Sequence, residues 1–243
     1  MGLATYLDKV RRYYPFTFLE IRNIMITIIL IGFMYGFNDG RPKFETIPYF
    51  YNMLVSMGVA AITVLVFVSG QRFAGISAGY RVEFQMWWPG MVVALIITFI
   101  ARGWIWIPIA GGMLLHHMSG HRLGFFRYGL NMLDNGIIAS CGPLACVVYA
   151  TIVKQIAVWT NLASLPIINK MYWFALVFAV VNMLPIPPLA GSKLMYNSRA
   201  PYVFIFAFIL AYAVMAYFNL FSWILALILA FVLWVLYYIR YEQ

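Results

Sequence analysis

Charged side chains are what this chain has least of. Asp, Glu, Lys and Arg together make up 9% of its 243 residues, where a soluble domain carries about a quarter. Carboxylates are scarcest: Asp8, Glu20, Asp39, Glu45, Glu83, Asp134 and Glu242 are all there are. Acid–base and metal chemistry therefore have few groups to draw on. Histidine occurs only at His116, His117 and His121, within six positions. The two cysteines, Cys141 and Cys146, lie five apart in an apolar segment. That spacing fits neither a disulfide framework nor a zinc site, and small buried hydrophobes are the role expected. The amino-terminus is charged and amphipathic, without the short apolar core of a cleavable signal.

What is abundant is apolar surface: 65% of residues are hydrophobic and 19% aromatic. This composition indicates an all-α, polytopic membrane protein. The net charge of +9 is spread between apolar runs rather than gathered on one stripe. It fits anchoring to lipid headgroups and not a nucleic-acid interface.

Residues 1–15 place Leu3, Tyr6, Leu7 and Val10 at helical spacing opposite Lys9, Arg11 and Arg12, the pattern of an interfacial helix on an anionic leaflet. Six or seven transmembrane helices follow. The spans expected are Ile24–Phe37, Pro48–Ala74, Met91–Ile107, one from Gly136 to about Lys154, Met171–Leu184, Ala200–Tyr217 and Leu220–Tyr238. Between the second and third, the segment GYRVEFQMW (79–87) alternates as a short strand does. Ile109 to Asn135, rich in glycine and holding all three histidines, reads as a hairpin or re-entrant segment. Lys9, Arg11, Arg12 and Arg22 favour a cytoplasmic amino-terminus, an asymmetry that Arg41 and Lys43 blur. Trp87-Trp88, Trp104-Trp106 and Tyr237-Tyr238 read as interfacial belts.

One stretch defies the helical pattern. At the end of the apolar run 173–181 comes Asn182-Met183-Leu184-Pro185-Ile186-Pro187-Pro188-Leu189-Ala190-Gly191-Ser192-Lys193. Proline lacks the N–H a helix needs, and lipid offers the freed backbone no partner. Such a break occurs at membrane depth only where it is buried in protein or lines a cavity; the alternative is an exit loop at the surface. Asn182 is suited to tie it to a neighbouring helix.

These twelve residues resemble the Asn-x-x-Pro-x-x-x-x-Asp-Gly segment of site-2 proteases, the intramembrane zinc metalloproteases, in the NLLPIPPLDGSK form of archaeal members. Other segments follow the family order: residues 67–71, then GYRVEFQMW, WWPG (87–90), IIASCGPLAC (137–146) and finally the broken loop. The resemblance covers roughly residues 16–196, the protease-like core, leaving 197–243 as a carboxy-terminal helix pair. It implies a zinc ion held by two histidines and a distant aspartate, with a glutamate activating water. In that register the first histidine is replaced by Phe67, the glutamate by Val68, the second histidine by Gln71 and the aspartate by Ala190. Gly70 and Arg72, ordinary neighbours of the second histidine, are retained. The asparagine expected after Gly-Pro-Leu-Ala is Cys146. The resemblance thus implies a degenerate member: catalytic residues none, no cofactor and no general base. The loop residues Asn182, Pro185, Pro187, Pro188 and Gly191 keep the motif's shape, and Gln71 is suited to hydrogen-bond that loop where zinc would have bridged.

A competing register uses His117-Met118-Ser119-Gly120-His121, which on a helix would set two imidazoles on one face, with His116 as a third zinc ligand. Elsewhere, Glu83 is expected in a structural ion pair with Arg81 or Arg102. Two functions from different classes follow. The first is a non-catalytic scaffold, stabilising or assembly subunit of a larger complex in the cell membrane, binding partner transmembrane helices. Small residues at Gly58, Ala60 and Ala61, and at Gly70, Ala74 and Ala78, would allow close approach. The second is a divergent zinc protease using His116, His117 or His121. A channel or transporter ranks last, because few ionisable residues lie inside the spans.

Overall fold

The computed structural model describes residues 3–41, 45–118, 132–161, 165–218 and 223–241. An amphipathic helix α1 (Leu3–Tyr13) precedes α2 (Phe18–Gly36) and the 33-residue α3 (Thr46–Ala78). A strand β1 (Tyr80–Met86), a short helix α4 (Trp88–Ile100) and a second strand β2 (Gly111–His117) follow. Then come α5 (Met132–Trp159), α6 (Pro166–Asn182), α7 (Ala190–Asn197), α8 (Arg199–Tyr217) and α9 (Trp223–Tyr241). Five helices among the described residues are long and apolar enough to cross a membrane: α2, α3, α5, α8 and α9. α4 and α6 are shorter apolar helices. The protein is a multi-pass membrane protein.

Local chemistry sets several boundaries. Thr17 and Glu20 form a reciprocal capping box at the start of α2, so that helix begins at Phe18 and not at Ile24. Gly79, at φ +88°, closes α3 in the left-handed conformation and delivers the chain directly into β1. The third span is shorter than the sequence suggests. Arg102 and Gly103 both take positive φ, ending α4 well before Ile107. Gly103 lies so close to Phe37 and Asn38 that a Cβ would meet them at 2.9 and 2.8 Å.

β1 is the strand that alternation in residues 79–87 suggests. β2 pairs with it antiparallel, from Tyr80 opposite His117 to Met86 opposite Gly111. The two strands are not a simple hairpin, because α4 intervenes between them. One sheet face, with Tyr80, Val82, Phe84 and Met86, turns into the core, while Arg81, Glu83 and Gln85 face away from it.

The core centres on α3, which packs along α2 on one side and α5 on the other. Glycine lets α3 and α5 approach: a Cβ on Gly70 would lie 2.6 Å from the Ala145 methyl and 2.8 Å from the Cys141 carbonyl. Gly58, by contrast, faces open space. α6 lies against α5, α3 and α8, and α7 against α5 and α8. α9 packs mainly on α8 and exposes most of its apolar surface.

Candidate functional site

The positions where the site-2 protease resemblance expects zinc chemistry lie on two elements. Phe67, Val68 and Gln71 sit on consecutive turns of α3, all buried. The Phe67 ring meets Phe178 of α6 edge-on at 5.3 Å and fills the notch over Gly142 of α5, where a Cβ would come within 2.8 Å of it. Gln71 completes that notch and donates from Nε2 to the Ala139 carbonyl at 3.1 Å. Ala139 needs this donor for a physical reason. Four residues later stands Pro143, inside α5 and without an N–H, so the helix cannot close its usual bond to Ala139. Gln71 therefore satisfies an orphaned carbonyl of α5, and not the broken loop as the sequence suggested.

That loop begins where α6 stops at Asn182. The Asn182 side chain is fully buried and makes three bonds: Oδ1 accepts from Ala110 N–H at 3.0 Å, and Nδ2 donates to Pro108 O at 3.0 Å and Phe178 O at 2.8 Å. Its partners outside α6 are the extended chain leading into β2, not a neighbouring helix. Pro185 and Pro187 are exposed, while Pro188 lies against Gly112 of β2. Ala190 is buried and opens α7 instead of lying in the loop. At Gly191 a Cβ would fall 1.9 Å from the Met183 carbonyl, so only glycine fits where the chain folds back on the end of α6. Lys193 reaches across to the Met113 carbonyl of β2, and burial pushes its ammonium pKa down to about 8.

The histidines fall elsewhere. His116 and His117 are adjacent in β2 and so project to opposite faces, in a strand where the competing register requires a helix. His116 Nε2 is 3.4 Å from Glu83 Oε2, and Arg81 is 3.3 Å from Oε1 of the same carboxylate. Glu83 thus pairs with Arg81, as one of the two partners expected. His117 packs on Tyr80 at 5.0 Å between ring centroids. His121 lies outside the described residues. Among those described, no three His, Cys, Asp or Glu side chains gather as a metal site.

The chain is 24% identical over 196 residues to a protein of Methanocaldococcus jannaschii described as "Putative zinc metalloprotease". The match covers 75% of this chain and 86% of that relative. The likeness is to a metalloprotease. No family model matches the chain, and no solved structure matches it.

The side chains at the four resemblance positions do not fit a zinc ion. Phe67, Val68 and Ala190 have no donor atom, and the Gln71 amide is engaged by Ala139.

Sequence reasoning missed the strongest polar feature of the molecule. Arg72, one position past Gln71, is 1% exposed and pairs with Glu20, which is 2% exposed. Arg72 also donates to the Tyr14 carbonyl and lies over the Phe16 ring at 4.0 Å. Glu20 Oε1 further accepts from the Phe84 N–H at 2.9 Å. One ion pair thereby joins the chain before α2, α2 itself, α3 and β1. The signal was present: among seven carboxylates and sixteen Lys and Arg, these two stand beside or within apolar runs, where a lone charge is costly.

Proposed function

We propose that this chain is a catalytically inactive, site-2 protease-like membrane protein that serves as a scaffold, stabilising or assembly subunit by binding partner transmembrane helices. The observation that carries this reading is the packing of Phe67 and Gln71 into the Gly142 notch. The residues standing where ligands and base are expected do structural work: one fills space and the other satisfies the carbonyl freed by Pro143. Val68 has no group to take a proton from water, so general-base chemistry at that position has no agent. The partners on this reading are the lipid bilayer and other membrane subunits, in the cell membrane.

The broken loop supports a role in lateral binding. With α4 and the segment before β2, it borders an apolar cavity of about 290 Å³ that includes Trp87, Val93, Ile109, Leu184 and Ile186. Helix side chains fit such a surface without leaving buried polar groups unpaired. Purification from native membranes, with mass spectrometry of co-migrating proteins, tests the reading. It expects defined membrane subunits at constant ratio; a chain that runs alone refutes it.

The description of the Methanocaldococcus relative favours the second reading, a divergent zinc protease using His116, His117 or His121. Metal analysis separates the two. Stoichiometric zinc that disappears in a His117→Ala/His121→Ala variant would establish the enzyme reading in place of the scaffold.

A further inference from the structure

On one side of the bundle, the end of α2 and the beginnings of α3 and α6 surround a cavity of about 400 Å³. It lies far along these helices from the Asn182 break, which ends α6 at its opposite terminus. Its wall is of two kinds. Val55, Leu165 and Ile167 supply apolar surface, and Asp39, Arg41, Asn52 and Lys170 a polar end.

The polar end is fixed in place. Asn52 donates from Nδ2 to the Gly36 carbonyl at 2.9 Å, which turns its Oδ1 toward Lys170 Nζ. The Lys170 carbonyl in turn accepts from Tyr35 Oη at 3.2 Å. An ammonium has three donors, and Lys170 spends one on Asn52, with the Asp39 carboxylate near enough to act on its charge. Arg41 is half exposed, with a single long contact of 3.7 Å to Glu45. Exposed pairs of this kind hold a guanidinium only weakly. Asp39 accepts the Arg41 backbone N–H on Oδ1 at 3.2 Å, and its shielded Oδ2 has no hydrogen-bond partner among the described residues. Within the cavity wall two cations stand against the one carboxylate of Asp39, with Glu45 outside it on the exposed side of Arg41, and this local surplus suits a singly charged anion.

The geometry points to a binding site for the phosphodiester headgroup of an anionic membrane lipid, held by Lys170 and Arg41. Val55, Leu165 and Ile167 receive the first carbons of its chains. A basic pocket between helix ends is the setting in which such headgroups are recognised. A free phosphate shares the charge but has no use for the apolar wall, and a phosphate dianion exceeds the charge on offer. A zwitterionic lipid brings a quaternary ammonium that the two cations repel.

The test uses the full-length protein, stripped of lipid in a neutral detergent. Native mass spectrometry compares phosphatidylglycerol, phosphatidylcholine of the same chains and inorganic phosphate. Phosphatidylglycerol is expected to be retained over phosphatidylcholine, and excess inorganic phosphate not to displace it. Arg41→Gln and Lys170→Gln are each expected to weaken retention about fivefold, from roughly 1 kcal/mol per cation near a headgroup. Lys170→Arg is expected to keep it. Arg41 lies in an exposed loop, so its variant reads binding rather than folding. Equal retention of both lipids, or unchanged retention in the two glutamine variants, overturns the proposal. Displacement by inorganic phosphate overturns it in favour of a free-anion site.

Discussion

Phe67–Gln71 on α3 and Asn182–Lys193 after α6 are the two regions where the site-2 protease resemblance places metal ligands, and their side chains differ in kind. The first is apolar packing except at Gln71, which meets the carbonyl that Pro143 leaves unbonded. The second remains polar at Asn182, which meets the backbone of Pro108 and Ala110, and at Lys193, which meets Met113. The rule common to both is backbone demand. Where the chain leaves an N–H or C=O without a partner in a medium that supplies none, a polar side chain is present. Where the only demand would come from a metal, Phe67, Val68 and Ala190 are apolar.

Substitutions at Arg72, Asn182, Gln71 and Lys193 test that rule and are taken in that order. Arg72→Met leaves Glu20 buried beside Phe84 with no counter-charge and is expected to destabilise the protein by about 3–5 kcal/mol, read by denaturant unfolding in detergent. A cost under 1 kcal/mol would show that backbone demand, and not the ion pair, holds β1 to α3. Asn182→Ala frees the Ala110 N–H and the Pro108 carbonyl together, at an expected cost of about 2–4 kcal/mol. Gln71→Ala is expected to cost about 1–3 kcal/mol. The sharper measurement is a double-mutant cycle with Pro143→Ala. That change restores an N–H for Ala139, so Gln71→Ala should become markedly cheaper in its presence. Additive effects would break the link between Gln71 and Pro143.

The smallest effect concerns pH. The Lys193 pKa is lowered in the folded protein to about 8 from an unfolded value near 10.5, so the unfolded chain binds more protons between those values. Burial of the Lys193 ammonium therefore costs stability below that window, and the cost is relieved as pH rises through it. The difference in melting temperature between the native chain and Lys193→Met is expected to shift in favour of the native chain from pH 8 to 10.5. A flat difference would mean that the Met113 carbonyl offsets the burial.

Much of the fold was legible because its signals are local. Apolar runs long enough to span, alternation in residues 79–87, and the asparagine and prolines after residue 181 each reflect what a few neighbouring residues can do with their backbone. β2 was not legible as a strand: GGMLLHH has no alternation, and its extended form goes with its pairing to the distant β1. The early end of α4 depends on Gly103 fitting against Phe37, a contact across some 65 residues. In the candidate site the positions compared with zinc ligands come from the motif order of the resemblance, but the work done by Gln71 does not. It depends on which carbonyl of another helix lacks a partner. Pro143 marked that carbonyl in the sequence; what the sequence does not carry is that α3 lies close enough to reach it.

The Gly142 notch bears on the chain's history. On the proposed register, restoring a metal centre requires donors at positions 67, 68, 71 and 190 together, since no subset completes the set. Each restoration alone removes something already in use: the Phe67 ring over Gly142, or the Gln71 bond to Ala139. A lone histidine or glutamate there brings a polar group into a dry interface with no ion to receive it. The packing works as a ratchet, in which each single step back lowers stability before any gain in chemistry. On that register, a chain packed in this way is held there by its own core.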